Sequence, residues 1–363
     1  MNVEFKYLSK PQTISLPDNT RILNTENFEL VQDTYIAIIK SLLQPLGYER
    51  SLFDMAKSVD TACVTIDAMI PNPILDMVLR PVLKTLHAAG LAYTDICILF
   101  AAEYPLEVKK SMVRKKVSKD IRDSYHIEFH DNFTLTNHQL AGDTSRQTPV
   151  YMDRRFLRTQ MKIAIGRVIP HFAVGLFDSI SVVGLGLTSP DTLKALYALA
   201  RQDIHENGTF DTVMHRDIVE ICDLAQVDFI VNILMSAQER VMNIFSGKIK
   251  DTYQKTESVL QSQYTANLKE PADAAVVTSG LTGVEKWYLL IETVCNAAPS
   301  VREHGSIVLL SDLLYQMDNA KIRACTSLED FLSIFLEQKR WMGIFEILEE
   351  KLKNRTVYFP IGV

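Results

Sequence analysis

The chain has 363 residues, 47% of them hydrophobic and 23% charged, with a formal net charge of −6. This is the balance of a globular chain of two or three domains, and it argues against a basic protein that coats nucleic acid. No run of about 18 uncharged apolar residues occurs, so no membrane span is expected, and the opening MNVEFKYLSK has no apolar signal core. The five cysteines (Cys63, Cys97, Cys222, Cys295 and Cys325) are far apart and form no CxxC pair. They read as free thiols in a reducing cytoplasm.

In chain order, DNTR (18–21) follows a short strand, and Asp-Asn is ordinary turn chemistry, so Arg21 reads as a turn residue rather than an anion ligand. Buried strands are expected at ACVTID (62–67), ICILFAA (96–102), HIEFH (126–130), KIAIG (162–166), FIVNIL (229–234), DAAVVTS (273–279), SIVLLS (306–311) and TVYFPI (356–361). Helices are expected between them at 72–89, 105–117, 190–204, 213–225, 284–299 and 327–352. This alternation predicts an α/β fold with mainly parallel sheets. The basic run KKSMVRKKVSKDIR (109–122) is interspersed with acid and reads as a solvated helix face.

DTSRQTPVYMDRRF (143–156) reads as a loop in which Thr144, Ser145, Thr148 and Arg146 could hold a phosphate or carboxylate. Ser189, Pro190 and Asp191 mark a helix start as cap, first-turn proline and dipole partner. His215, beside Arg216 and Asp217, sits near another helix start and reads as a capping or local hydrogen-bonding residue, with no metal partner at i+4. The change of character across QYTANLKEPADAAVV (263–277) sets a domain boundary. It divides an N-terminal α/β domain, 1–265, from a C-terminal α/β domain, 266–363, whose last strand (354–363) has the alternative of returning to the first domain.

In GRVIPHFAVG (166–175), His171 follows Pro170 at the C-terminal end of a predicted strand, the edge where α/β sheets collect ligands. A core histidine bonded to a carbonyl is the plain alternative, and these residues alone leave both open.

Three blocks, GDTSRQTPVYMDRRF (142–156), KIAIGRVIPHFAVG (162–175) and MHRDIVEICDLAQVDFIVNIL (214–234), together resemble the lactate racemase family. VTIDAMIPNP (64–73), ICILFAAEYP (96–105) and AAVVTSGLTGVEKWYLLIETVCNAA (274–298) extend the resemblance along nearly the whole chain. It implies a two-domain lactate-racemase-like fold with the active site in the interdomain cleft. It also implies a nickel-pincer nucleotide, tethered to a lysine through a thioamide and bound to nickel partly by a histidine. Two further histidines would alternate as acid and base.

Carried over residue by residue, the resemblance implies a rebuilt site. The acid of the family's Asp-x-Thr-Arg-Pro signature is kept as Asp67, but its threonine and arginine fall on Met69 and Ile70. One catalytic histidine falls on Glu103 or, one residue on, Tyr104; the other is kept as His171. The tether lysine and the residue before it become Ser181 and Ile180, the nickel histidine becomes Tyr197, and a glutamine–lysine pair becomes Leu289 and Glu292.

A serine cannot form the tether, and tyrosine is a poor nickel ligand beside a soft sulfur donor. A lost arginine clamp forfeits about 1.5–3 kcal/mol per charged hydrogen bond to a substrate carboxylate. The expectation is therefore a scaffold with no cofactor and no bound metal, either catalytically silent or a small-molecule binder. Its cleft would hold Asp67, Glu103, Tyr104, Thr148, His171, Ser181, Tyr197 and Glu292. The alternatives are an isomerase, epimerase or dehydratase of a small hydroxylated substrate, with Glu103 and His171 as acid and base and Tyr104 or Tyr197 assisting, and a working 2-hydroxy acid (lactate) racemase. A small-molecule ligand is the expected partner, without nucleic acid or membrane; a homo-oligomer or an active paralogue is a further alternative.

Overall fold

The computed structural model describes residues 1–7, 10–23, 29–101, 115–132, 134–203, 210–236, 239–264, 268–279, 288–311, 350–352 and 354–358. A short antiparallel hairpin, β1 (Asn2–Tyr7) and β2 (Lys10–Ser15), precedes the main body. The body begins with α1 (Thr34–Leu43), α2 (Leu52–Ala56), β3 (Ala62–Asp67), α3 (Asn72–Ala88), β4 (Ile96–Ala101), α4 (Lys119–Ser124) and β5 (His126–Phe129). A second hairpin, β6 (His138–Asp143) and β7 (Pro149–Asp153), leads through α5 (Arg154–Arg158) into the long strand β8 (Met161–His171). Then come β9 (Gly175–Phe177), α6 (Ser179–Gly184), α7 (Pro190–Ala200), α8 (Val213–Leu224), β10 (Phe229–Met235), β11 (Val241–Gly247) and α9 (Ile249–Tyr264). The second unit contains β12 (Ala272–Ser279), α10 (Tyr288–Ala297), β13 (Val301–Ser311) and β14 (Thr356–Tyr358).

The main sheet runs β11-β10-β8-β3-β4-β5, with β9 added on the end of β8. Every pair from β10 to β5 is parallel, and β11 alone closes an edge antiparallel. Successive side chains on a strand point to opposite faces. Val64, Ile66, Ile98 and Phe100 accordingly pack with α1–α3 on one side. Cys63, Leu99, Ala101 and Ala164 face α6, α7 and α8 on the other. With both faces covered, the strands read as continuous apolar runs, and β3 is buried at all six positions.

From β3 the order proceeds one way through β4 to β5 and the other way through β8 to β10. The crevice beyond the carboxyl ends of β3 and β8 is therefore the topological switch point of the sheet, the usual ligand position in open α/β folds.

Two expectations change. The segment 143–156 is not an open loop: Gln139, Leu140 and Asp143 pair with Met152, Tyr151 and Pro149, leaving only a tight turn at 144–148. The last strand does not return to the first domain in its described part. Thr356–Tyr358 pairs in parallel with Ser306–Val308 of β13, and Val357 is buried in the second unit. Most of the helix expected at 105–117 and most of the one at 327–352 lie outside the described residues.

Candidate functional site

At the switch point, Asp67 ends β3 and Arg167 lies on the adjacent strand. Arg167 Nε donates to Asp67 Oδ2 at 2.8 Å, while Asp67 Oδ1 accepts the Met69 backbone N–H at 2.8 Å. The Asp67 side chain is 1% exposed and that of Arg167 11%, so the pair is desolvated. The guanidinium carbon also lies 5.6 Å from the Phe177 ring centroid. Arg167, Ile169 and His171 alternate onto one side of β8, and His171 ends the strand.

The turn after β8 fixes the His171 ring. Its Nδ1 accepts the backbone N–H groups of Ala173 and Val174, both at 3.1 Å, and its face stacks on Phe172 at 4.7 Å. With Nδ1 an acceptor, the proton of the neutral ring sits on Nε2. Nε2 points across to the second unit, 3.7 Å from Glu292 Oε1 on α10. That distance is within ion-pair range but beyond a good hydrogen bond. One turn further along α10, Asn296 donates to the Pro170 carbonyl at 3.4 Å. Glu292 is itself buried, so a carboxylate and a donor imidazole meet away from solvent.

The start of α6 packs on the same strand, β8, beside Arg167. Asp178 caps it by accepting from the N–H groups of Ile180 (3.2 Å) and Ser181 (3.3 Å). The Ser181 hydroxyl, fully buried, returns the bond by accepting the Asp178 N–H at 3.3 Å, and it lies within donating distance of the Leu176 carbonyl and Asp178 Oδ1. Asn232 of β10 donates to Asp178 Oδ2 and accepts the Ser179 N–H. Burial pushes the Asp178 carboxyl above the usual carboxylate range, opposed by the nearby His215. Gly166 lets this helix start sit against β8: a Cβ there would come within 2.7 Å of the Ser179 backbone.

The model of the lactate racemase N-terminal domain matches residues 7–208, more than half of the chain. The chain belongs to the lactate racemase family. It is 22% identical over 294 residues to the lactate racemase of Thermoanaerobacterium thermosaccharolyticum. That match takes in 77% of this chain but 66% of the relative, just under two thirds of its length. The apoprotein structure of a lactate racemase from that organism superposes with a TM-score of 0.75 at 19% identity, over 99% of this chain and 88% of that one. A Thermotoga maritima protein superposes at 0.57 with 16% identity, over 76% of this chain and 69% of that one. At these identities the two superpositions show a shared fold.

Of the residues singled out in the family comparison, His171 and Glu292 lie within ion-pair range of each other, and Asp67 pairs with Arg167 of the neighbouring strand. Ser181 is spent within the helix cap, and Tyr197 is 5% exposed within the apolar cluster on that side of the sheet. Ile70 and Ile180, which fall on arginine positions of the family, are fully buried in the two core clusters. Thr148 belongs to the β6–β7 turn, where its N–H donates to Thr144 Oγ1.

That turn does hold a carboxylate, but it is the protein's own. Glu220 of α8 takes the Ser145 N–H at 2.7 Å, the Ser145 hydroxyl at 2.8 Å and Arg146 Nη1 at 2.5 Å. These bonds and the capping box engage the hydroxyls of Thr144, Ser145 and Ser181. Glu103 and Tyr104 lie outside the described residues.

His215 does not serve as a cap. Its backbone N–H bonds to Thr212 Oγ1, and its ring stacks on Tyr253 at 4.0 Å. Among the described residues no group of three or more His, Cys, Asp or Glu is arranged to hold a metal ion, and no helix is long and apolar enough to cross a membrane. The sequence reading missed Arg167, Asp178 and Asn232. The available signal was a charge, an acid before a helix and an amide inside otherwise apolar strand and helix runs.

Proposed function

We propose that this family member does not racemise lactate through a covalently held nickel-pincer nucleotide, and that its cleft serves as a binding site for a small molecule that is not an anion. The observation that carries this reading is the state of Ser181, at the position of the tether lysine. It has no amine, it is fully buried, and its hydroxyl is engaged in the Asp178 capping box. Tyr197, at the nickel-histidine position, is packed into the core. These residues do not fit the cofactor.

The charges support the same reading. Arg167 is paired with Asp67, and Glu292 sets a carboxylate beside His171 where the family carries a lysine. A lactate carboxylate entering there would meet like charge. The test is D- to L-lactate interconversion by the chain produced alongside the enzymes that make the nickel nucleotide. No interconversion is expected; nickel-dependent interconversion overturns the proposal.

The His171–Glu292 pair favours a second reading, isomerisation of a small hydroxylated carbonyl compound. Here Glu292 would remove the proton next to the carbonyl, and the neutral His171 Nε2–H would polarise the carbonyl oxygen. A carboxylate base with a neutral imidazole donor is a known division of labour. The support for Glu292 in this role is its distance of 3.7 Å from His171 Nε2. Solvent deuterium exchange into short hydroxyaldehydes and hydroxyketones, followed by NMR, tests it. Exchange abolished by Glu292→Gln supports it, and no exchange in the unaltered protein rules it out.

A further inference from the structure

At the opposite ends of the same strands, away from the cleft, four side chains form a row across the sheet. Lys162, Cys63, Cys97 and His126 are successive register partners on β8, β3, β4 and β5. Register partners project to the same face, and neighbouring strands are about 4.8 Å apart. Cys63 and Cys97 therefore stand side by side, with Cα atoms at a spacing compatible with a disulfide. Cys63 is buried, whereas Cys97 is half-buried and open to a small oxidant.

The corner between β7 and α5 covers this face. There Arg155 is held by Asp153 (2.5 Å) and Glu128 (3.3 Å). The Cys63 S–H, and after it Arg155, draw the Cys97 thiol below its usual range despite its burial. The other described thiols move the opposite way. Cys63 is raised by its contact with Cys97 and by burial, and burial raises Cys222 and pushes Cys295 up to about 12. The thiolate is the reactive form of cysteine, so Cys97 is the sulfur among these four that is set to react first with an oxidant.

We propose that Cys97 is a hydroperoxide-reactive thiol and that Cys63 resolves it, making a reversible dithiol–disulfide site at the foot of the main sheet. The Cys97 thiolate attacks the terminal peroxide oxygen: an S–O bond forms, the O–O bond breaks, and the alkoxide or hydroxide leaves and takes a proton. Sulfur is oxidised by two electrons to the sulfenic acid and the peroxide is reduced. The Cys63 sulfur then attacks Cys97, forming the S–S bond as the S–O bond breaks, and its proton leaves with the hydroxide as water. A small dithiol restores both thiols by exchange. Arg155 acts as a positioning residue for the first step.

The test treats the intact chain with hydrogen peroxide and maps each cysteine by peptide mass spectrometry. The unaltered protein is expected to lose two hydrogens in a Cys63–Cys97 linked peptide, reversed by dithiothreitol, while Cys222 and Cys295 stay reduced. Cys63→Ser should stop at the sulfenic acid and be trapped by dimedone at Cys97. Cys97→Ser should leave Cys63 reduced, and Arg155→Met should slow oxidation without abolishing it. Oxidation of Cys97 in the unaltered protein no faster than that of Cys222 and Cys295 overturns the proposal. So does a folded C63S protein that takes no dimedone.

Discussion

Replacing Arg167 with methionine tests the electrostatics of the switch point. The Asp67–Arg167 bond is 2.8 Å long, and the two side chains are 1% and 11% exposed. Methionine can keep much of the contact with Phe177, so the change chiefly removes charge. It leaves the Asp67 carboxylate buried with the Met69 N–H on one oxygen and no guanidinium on the other. Breaking a buried pair from one side costs about 3–5 kcal/mol, whereas an exposed pair is worth about 0–1 kcal/mol.

The double variant Asp67→Asn/Arg167→Met should recover most of the loss, because no charge is then stranded. The loss is best read by amide hydrogen exchange of β3 and β8 in increasing urea. Both tryptophans, Trp287 and Trp341, belong to the C-terminal part of the sequence, where fluorescence would follow the wrong unit. A single-variant cost below about 1 kcal/mol would place the pair in solvent and refute the closed description of the crevice.

Three further outcomes are expected. The folded pKa of Asp178 is raised above its ordinary 3.8, so its contribution is complete below that value and is lost as pH rises through the folded pKa. Asp178→Asn keeps an oxygen for the cap but sets an amide N–H against the Asn232 donor, so a fixed cost is expected, with the difference from the unaltered protein shrinking as pH rises above 3.8 in chemical unfolding; a parallel pH dependence contradicts this. Gly166→Ala sets a methyl 2.7 Å from the Ser179 backbone and should cost about 1–3 kcal/mol in thermal unfolding; no cost would mean that α6 slides freely. Glu292→Lys restores a cation beside His171, so oxalate should raise its melting temperature but not that of the unaltered protein; equal responses would remove the charge argument.

Much of the fold was legible in the sequence. ACVTID, ICILFA and FIVNILM are apolar enough to demand a sheet covered on both faces, and the switch point follows from the order in which they pair. The β6–β7 hairpin was not legible, because its hydroxyls and Arg146 look the same whether they await a ligand or hold Glu220, which is 75 residues from Ser145 in sequence. The capping role of Ser181 and the packing of Tyr197 in the apolar cluster were not legible for a related reason: family position says where a side chain begins, not what it will pack against. His171 was placed correctly at a strand end, but its partner Glu292 comes from the other unit, and only tertiary structure brings the two together.

The account rests on the mismatch between these residues and the family's cofactor. The most direct measurement is the intact mass and nickel content of the chain purified after co-production with the enzymes that synthesise the nickel-pincer nucleotide. The residues at 181, 197 and 292 predict the unmodified mass and no stoichiometric nickel. A covalent nucleotide adduct carrying nickel would contradict the account.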